Sequence, residues 1–177
     1  MGCCRNKGVV TKQVVLSFSR EELLYDIAEY AFVEGDVMPV KDEHERHQVI
    51  DIAQEGNVNL VTRMLNLSHS EVMELLYPYT KEEIKDGERL DDVLEEPEEY
   101  VIEMSVPETM SRSSLKYLRD LIHDYMVSRV LREWMSITNN INPNSKLNWE
   151  EKIESIKSNI RRGLKWRMKP LRISQHP

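Results

Sequence analysis

The stretch of sequence that decides the fold is residues 113–137, SSLKYLRDLIHDYMVSRVLREWMSI. Its large apolar side chains recur three and four residues apart, which places them on one face of an α-helix. The length corresponds to roughly seven helical turns, so we predict one long helix at the centre of a helical bundle. The predicted buried stripe comprises Leu115, Leu118, Ile122, Tyr125, Met126, Val130 and Trp134.

Two further helices carry apolar stripes long enough to pack against this central helix. The first is predicted over 20–33, because Ser19 and Glu22 have the S-x-x-E spacing of a capping box and Gly35 marks a stop. The second is predicted over 148–164. Their inward residues are expected to be Leu23, Leu24, Ile27, Ala28 and Ala31 in the first helix and Trp149, Ile153, Ile156, Ile160 and Leu164 in the second.

Three short helices are predicted in the middle of the chain, where helix breakers separate groups of apolar residues. Gly56 separates the first two helices, and Pro78 ends the third. Ser68 and Glu71 repeat the capping-box spacing and predict a helix start between them. The predicted ranges are 42–54, with Val49, Ile50 and Ala53 inward, then 58–65, then 68–78.

Two segments have the alternating pattern of half-buried strands. Residues 11–19 place Val14, Leu16 and Phe18 on one face, and residues 100–107 alternate in the same way up to Pro107. Each strand is too short to be stable alone, so we expect the two to pair with each other or with a neighbouring molecule. The predicted fold class is therefore mainly α: a helical bundle around a long central helix, with a small two-strand β element and an extended basic C-terminal tail.

Charge is sorted along the chain. Residues 1–19, 20–108 and 109–177 carry net charges of +3, −18 and +8, for −7 overall. Opposite-signed surfaces on one molecule let copies or different partners meet in a fixed polarity. The segment 80–99 holds 10 acidic and 3 basic residues and is expected to be a solvated loop or a loosely attached helix. Its acidic run 95–99 lacks the aspartate spacing of a calcium loop.

The basic C-terminal end is predicted to be a separate element. We expect a helical domain over 1–164, containing the N-terminal strand and the acidic loop, and an extended basic tail over 165–177. Pro170 prevents the interior of a helix there, and apolar and basic side chains alternate around it. This pattern predicts partner binding, with Trp166 and Arg167 as anchors. The predicted partner-binding residues are Trp166, Arg167, Met168, Lys169, Leu171, Arg172 and Ile173.

Residue types that serve in catalysis or metal binding occur, but not in the required patterns. His44 and His47 are three residues apart, whereas the zinc-protease motif needs histidines four apart with a glutamate directly after the first. Ser111, Ser113 and Ser114 precede a histidine and an aspartate, yet no nucleophile elbow surrounds them, and helix capping explains them better. We predict no catalytic residue, no metal and no cofactor, and a protein that is not an enzyme.

No stretch approaches the roughly 18 consecutive apolar residues of a membrane span, and no apolar segment follows the charged start as a secretory signal requires. We therefore expect a protein that is made and kept inside a cell and does not bind a membrane. Cys3 and Cys4 are the only cysteines, and these neighbours at a terminus cannot staple a fold together.

Residues 117–138, YLRDLIHDYMVSRVLREWMSIT, followed by the Trp149 helix and the basic segment 165–172, resemble small virion-associated proteins of tailed bacteriophages and prophages of the Bacteroides kind. The order of elements also resembles the head-to-tail connector, or neck adaptor, class. In that class a helical bundle with a small strand element forms a ring under the portal, and a C-terminal segment reaches along the portal.

The resemblance implies a structural virion protein, a multi-copy ring-forming adaptor that joins portal and tail in the phage neck. Its partners would be copies of itself in a cyclic homo-oligomer, the portal protein and other neck or tail proteins, while DNA passes through the channel without specific binding. Sorted charge agrees with head-to-tail contacts between identical subunits. The alternative is a small soluble regulatory or nucleic-acid-associated protein that uses its basic C-terminal end, with Trp149 and Trp166, for recognition.

Overall fold

The computed structural model describes residues 10–38, 43–82, 86–88, 91–138 and 143–167. Within these residues the chain is mainly α, with one small antiparallel sheet, as predicted. The elements are β1 (Thr11–Ser19), α1 (Arg20–Asp36), α2 (Glu43–Ile50), two short 3-10 turns (Asp51–Ala53 and Glu55–Asn57), α3 (Val58–Leu75), β2 (Glu99–Pro107), α4 (Arg112–Thr138) and α5 (Pro143–Arg167). None of the described helices is long and apolar enough to cross a membrane.

The long helix α4 is the centre of the core. It packs against α1, α3 and α5, so its side chains are buried around much of the helix. Six of the seven residues in the predicted stripe are buried, and Leu115, near the helix start, is half-buried. The prediction of a central helix packed by α1 and α5 is confirmed, and α3 is an additional partner that the sequence pattern did not reveal.

The two strands pair with each other, antiparallel, with Val15 opposite Glu103. The predicted inner face is confirmed, since Leu16 and Phe18 are buried together with Ile102 on β2. The outer edge of β2 is covered, because the Ser105 amide donates to the Tyr79 carbonyl at 2.9 Å and the His69 ring nitrogen contacts the Val101 carbonyl at 3.1 Å.

Helix α1 begins as predicted, because the Ser19 hydroxyl accepts a hydrogen bond from the Glu22 amide at 3.4 Å. The helix was expected to stop near Gly35, and it ends one residue later, at Asp36, with Gly35 buried in its last turn. A Cβ at this position would lie 2.5 Å from Cγ1 of Ile50. Gly35 therefore allows the close approach of α2 to α1.

The prediction of two separate helices before and after Ser68 is wrong, because α3 is continuous from Val58 to Leu75. Ser68 is a buried residue in the middle of α3, and its hydroxyl donates to the Leu65 carbonyl at 2.8 Å. A serine can satisfy its hydroxyl on the preceding helical turn as well as at a helix start. The S-x-x-E spacing alone does not distinguish these two uses.

The helix predicted over 42–54 is shorter than expected and changes type. Helix α2 ends at Ile50 and a 3-10 turn follows over Asp51–Ala53. The tighter 3-10 turn rotates the following side chains, so Ile52 is buried and Ala53 is exposed, whereas Ala53 was expected to face inward. Val49 is buried as predicted.

The acidic segment is a loop where the structure describes it, and its end is held against the body. The Asn66 side-chain amide donates to the Glu95 carbonyl at 2.9 Å, and the Arg20 amide donates to the Glu98 carbonyl at 3.0 Å. Among the described residues of 80–98, the expectation of a solvated loop is met and there is no helix, and Glu99 already belongs to β2.

The last helix is longer than predicted at both ends. Helix α5 begins at Pro143, where a proline fits the first helical position because its missing N–H would have no partner there. It ends at Arg167, so the backbone of residues 165–167 is helical rather than extended, and the predicted start of the tail is wrong by three residues. The rest of the predicted tail, from Met168 onward, and the pair Cys3 and Cys4 lie outside the described residues.

Candidate interaction surface

The predicted partner-binding residues fall at the end of α5 and beyond it. Trp166 and Arg167 belong to the last turn of α5. The other predicted members, Met168, Lys169, Leu171, Arg172 and Ile173, lie outside the described residues.

The serines considered as nucleophiles form the start of α4 instead. The Ser111 hydroxyl accepts from the Ser114 amide at 3.2 Å and lies 3.0 Å from the Ser113 hydroxyl. This is the helix-capping role expected from the sequence. The His123 ring contacts a different helix: its Nε2 lies 2.7 Å from Oδ2 of Asp26 on α1.

The histidines considered as metal ligands lie on the exposed side of α2. His44 and His47 are both exposed, and the His44 ring nitrogen lies 3.2 Å from the Gln48 side-chain nitrogen. In the part of the chain that the structure describes, no three His, Cys, Asp or Glu side chains are grouped so that they could hold a metal ion.

Helix α1 is apolar on two faces. Its inner face, with Leu23, Ile27 and Ala31, is buried against the core. Its outer face carries large side chains that remain exposed: Phe32 is 56% exposed and Tyr25 is 63% exposed. Exposed aromatic side chains that cluster on one face are typical of surfaces that bind a partner.

The outer face of α1 forms one wall of a groove, which we call the α1–α2 groove. It has a volume of about 660 Å³ and opens to solvent in the described part of the chain. Ile50 and Ala53, at the end of α2 and in the turn after it, form the other wall. The volume lies in the range of about 300–1,000 Å³ that is usual for ligand pockets. The α1 residues that line it are Tyr25, Asp26, Ala28, Glu29, Tyr30, Phe32 and Val33.

The groove is acidic as well as apolar. Helix α1 carries six acidic residues and one basic residue, and two of the acidic residues, Asp26 and Glu29, line the groove. The Tyr25 hydroxyl donates to Oε1 of Glu29 at 2.8 Å. This bond to a carboxylate, together with the negative charge of Glu29, raises the pKa of Tyr25.

One end of the groove lies beside the start of α5. The Tyr30 and Trp149 rings meet edge to face with centroids 5.8 Å apart, and the Lys152 ammonium lies 5.0 Å from the centroid of the Tyr30 ring. The Trp134 indole donates to the Val49 carbonyl at 3.0 Å, so the neighbouring Ile50 is fixed at the same level of the bundle.

A second charged region lies where α3, α4 and α5 meet, and we call it the ionic face. Arg129 donates to Glu71 at 3.0 Å and to Glu133 at 2.7 Å, while the Tyr125 hydroxyl also donates to Glu71 at 2.7 Å. The hydrogen bond from Arg129 lowers the pKa of Glu133, and burial raises the pKa of Tyr125. Arg132 on α4 pairs in turn with Glu150 on α5 at 2.9 Å, so the ionic face ties α3, α4 and α5 together.

A third polar cluster fastens the acidic loop to the sheet. The Tyr100 hydroxyl donates to Oδ1 of Asn66 at 2.6 Å, and the same amide group of Asn66 holds the loop at Glu95. Burial raises the pKa of Tyr100 to about 12 and lowers the pKa of the neighbouring His69. Every group in this cluster has a partner that supports the fold.

The outer residues of α1 were not among those predicted from the sequence. Phe32 follows Tyr25 by seven residues, or about two helical turns, and Val33 comes directly after Phe32. These residues lie beside the inner stripe that contains Leu23 and Ile27. A helix that is apolar on two faces but lies at the surface signals a second contact.

Comparison with protein-family models, with curated proteins and with solved structures finds no match to this chain.

Proposed function

We propose that this chain is a non-catalytic structural adaptor whose copies contact one another head to tail, and that it acts in the neck of a tailed-phage particle. The observation that carries the proposal is the acidic, aromatic α1–α2 groove on the body of a chain whose other end is basic. One molecule thus offers two different surfaces of opposite charge, the arrangement that heterologous contacts between identical subunits require.

The contacts of the candidate catalytic groups support a role without chemistry. The Ser111 hydroxyl caps α4, and His123 is bonded to Asp26 on a different helix. A hydrolase would need a serine and a histidine within hydrogen-bond reach of each other. Among the described residues, Ser111 bonds to Ser113 and Ser114 and His123 bonds to Asp26, so no hydrogen bond joins the serine to the histidine.

The location in a phage neck comes from two resemblances, that of residues 117–172 to small virion-associated phage proteins and that of the order of elements to the connector class. In that setting the copies form a ring, and the portal protein and other neck or tail proteins are the further partners. The body from 20 to 108, with its net charge of −18, would repel phosphate, so DNA could slide through the ring without specific binding. The protein is then part of the virion.

The mass of the purified protein, measured by light scattering and native mass spectrometry, tests this proposal. We expect a discrete cyclic oligomer, alone or with the portal protein of the same virus. The oligomer should weaken at about 1 M salt, where charges are screened beyond ~3 Å. A chain that stays monomeric under all these conditions and instead binds nucleic acid would contradict the adaptor and favour the regulatory alternative.

A further inference from the structure

We propose that the α1–α2 groove of one copy binds the segment Trp166–Ile173 of another copy. This inference rests on the proposed head-to-tail assembly and names the two surfaces that meet. The contact is between an apolar groove with acidic walls and a segment in which apolar and basic side chains are interleaved.

The segment matches the groove both in its apolar side chains and in its charge. Its apolar side chains can replace the water that now covers Phe32 and Ile50, and burial of apolar area is the main driving force of association. Its basic side chains would meet Glu29, which accepts a hydrogen bond from the neutral Tyr25 hydroxyl, whereas Asp26 already contacts His123. From 165 to 177 the chain has four basic residues and no acidic one, whereas α1 has six acidic residues and one basic.

The negative charge of the groove also disfavours an acidic partner. An acidic or phosphorylated segment would place like charges beside Glu29 and Asp26, which costs free energy at an interface. The acidic loop of a second copy is therefore a poor occupant. The C-terminal segment is the most basic apolar stretch in the chain, with Lys169 and Arg172 between its apolar residues.

The length of α5 favours binding between copies over binding within one copy. The Ile50 end of the groove lies at the level of Trp149, and α5 runs from there to Arg167. Eighteen residues at a rise of about 1.5 Å per residue cover ~27 Å. The six residues from Met168 to Ile173 span at most ~22 Å when fully extended. They are too short to return to the Ile50 end of their own groove.

Two full-length variants test the contact. Phe32→Ser removes one exposed aromatic side chain from the groove, and a triple variant, Met168→Ser with Leu171→Ser and Ile173→Ser, removes the apolar side chains of the segment beyond Trp166 while keeping its charges. The matched control is Leu67→Ser on α3, because Leu67 is 55% exposed and Phe32 is 56% exposed. Thermal unfolding of each variant shows that it is folded.

Mixing the variants separates binding between copies from binding within one copy. Each variant alone should remain monomeric, because one half of every contact is damaged. A mixture of the two should form a heterodimer and nothing larger, since one intact groove and one intact segment make a single contact. The Leu67→Ser control should assemble as the wild type does.

A synthetic peptide of residues 165–177 separates this inference from the proposed function. It should bind the wild-type protein, and Phe32→Ser should weaken its binding by about tenfold or more, as expected for a central aromatic contact. If the wild type assembles but neither variant reduces assembly, the adaptor proposal stands and the groove contact is wrong. If the wild type is monomeric yet binds the peptide at the groove, the contact stands and the ring is wrong.

Discussion

The ionic face and the α1–α2 groove both place carboxylates next to aromatic rings, but they differ in where the balancing groups are found. On the ionic face each carboxylate has an arginine partner: Arg129 pairs with Glu71 of α3 and with Glu133 of its own helix, and Arg132 pairs with Glu150 of α5. In the groove, Glu29 is bonded to the neutral Tyr25 hydroxyl, and this contact does not cancel its charge. Charges that are paired within the chain stabilise the fold, whereas a charge without an opposite charge beside it can gain free energy by pairing with a partner molecule.

The two regions also differ in what lies beneath them. The rings of the ionic face are covered, since Tyr125 is buried among α3, α4 and α5. The rings of the groove are exposed although the opposite side of α1 is packed in the core. Mutations in the ionic face should therefore change stability, and mutations in the groove wall should change assembly. Variants in each region, and in the helix that both regions share, test this division.

The largest effect is expected in the scaffold that both regions share. Ile122→Asp would place an unpaired carboxylate at a fully buried position of α4 and should cost on the order of 4–5 kcal/mol in the free energy of unfolding. Ile137→Asp on the same helix is the control, because Ile137 is exposed, and it should cost less than about 0.5 kcal/mol. Urea unfolding measures both. Equal losses would mean that the facing of α4 is wrong.

The second effect lies in the ionic face itself. Arg129→Met removes the cation between Glu71 and Glu133 and leaves the Glu71 carboxylate with the Tyr125 hydroxyl, at a cost of about 2 kcal/mol. Arg119→Met removes an exposed arginine that pairs only with its neighbour Asp120 within the described contacts, so the cost should be below about 0.5 kcal/mol.

A neutral result for Arg129→Met in urea unfolding would show that the ionic face does not join the helices. It would then resemble the groove, and its charges would be candidates for a second docking surface.

The sequence allowed the main elements to be predicted because their patterns are local. The alternation in 11–19 and in 100–107 predicted two strands, and the three-and-four spacing in α4 predicted the buried face of the central helix. These patterns depend only on which side of one element faces the core. The predicted buried face of an element is the same whichever other element packs against it.

The errors occurred where a residue has two uses that look alike in sequence. Ser68 has capping-box spacing yet bonds to the Leu65 carbonyl inside α3, and Gly35, which lies near the end of α1 as expected, also permits close packing with Ile50. The groove was missed for a related reason. Whether Phe32 is exposed depends on which other helices pack against α1, and no local sequence pattern shows this.

The third prediction concerns the junction between the groove walls. Gly35→Ala would bring a Cβ within 2.5 Å of Ile50 Cγ1 and should push α2 away from α1. Alanine gains about 1 kcal/mol of helix propensity, so we expect a net loss of about 1 kcal/mol together with a wider groove. Gly163→Ala is the control, because no atom of the described residues outside the adjoining helix backbone lies within 4 Å of a Cβ there, and the variant should gain up to about 1 kcal/mol.

Thermal unfolding and peptide binding measure the two consequences of Gly35→Ala. Stabilisation of both glycine variants to the same extent would show that α1 and α2 are not in close contact. The walls of the groove would then not be fixed by the fold.

The smallest effect is the pH dependence of the ionic face. The hydrogen bond from Arg129 lowers the pKa of Glu133 in the folded state below its ordinary value of 4.5. A carboxylate whose pKa is lowered by folding contributes stability that is present above the unfolded pKa and lost as pH falls through the folded pKa. The Glu133 side chain is 37% exposed, so solvent screening should keep the contribution below about 1 kcal/mol.

Glu133→Gln isolates this contribution, because glutamine has the same shape and does not titrate. At neutral pH the wild type should have the higher free energy of unfolding, and the difference from the variant should shrink as the pH falls below about 4.5. Urea unfolding across an acid series measures the difference. A gap that stays constant from neutral to acid pH would mean that Glu133 is not held by Arg129, and the ionic face would then lose the internal balance that sets it apart from the groove.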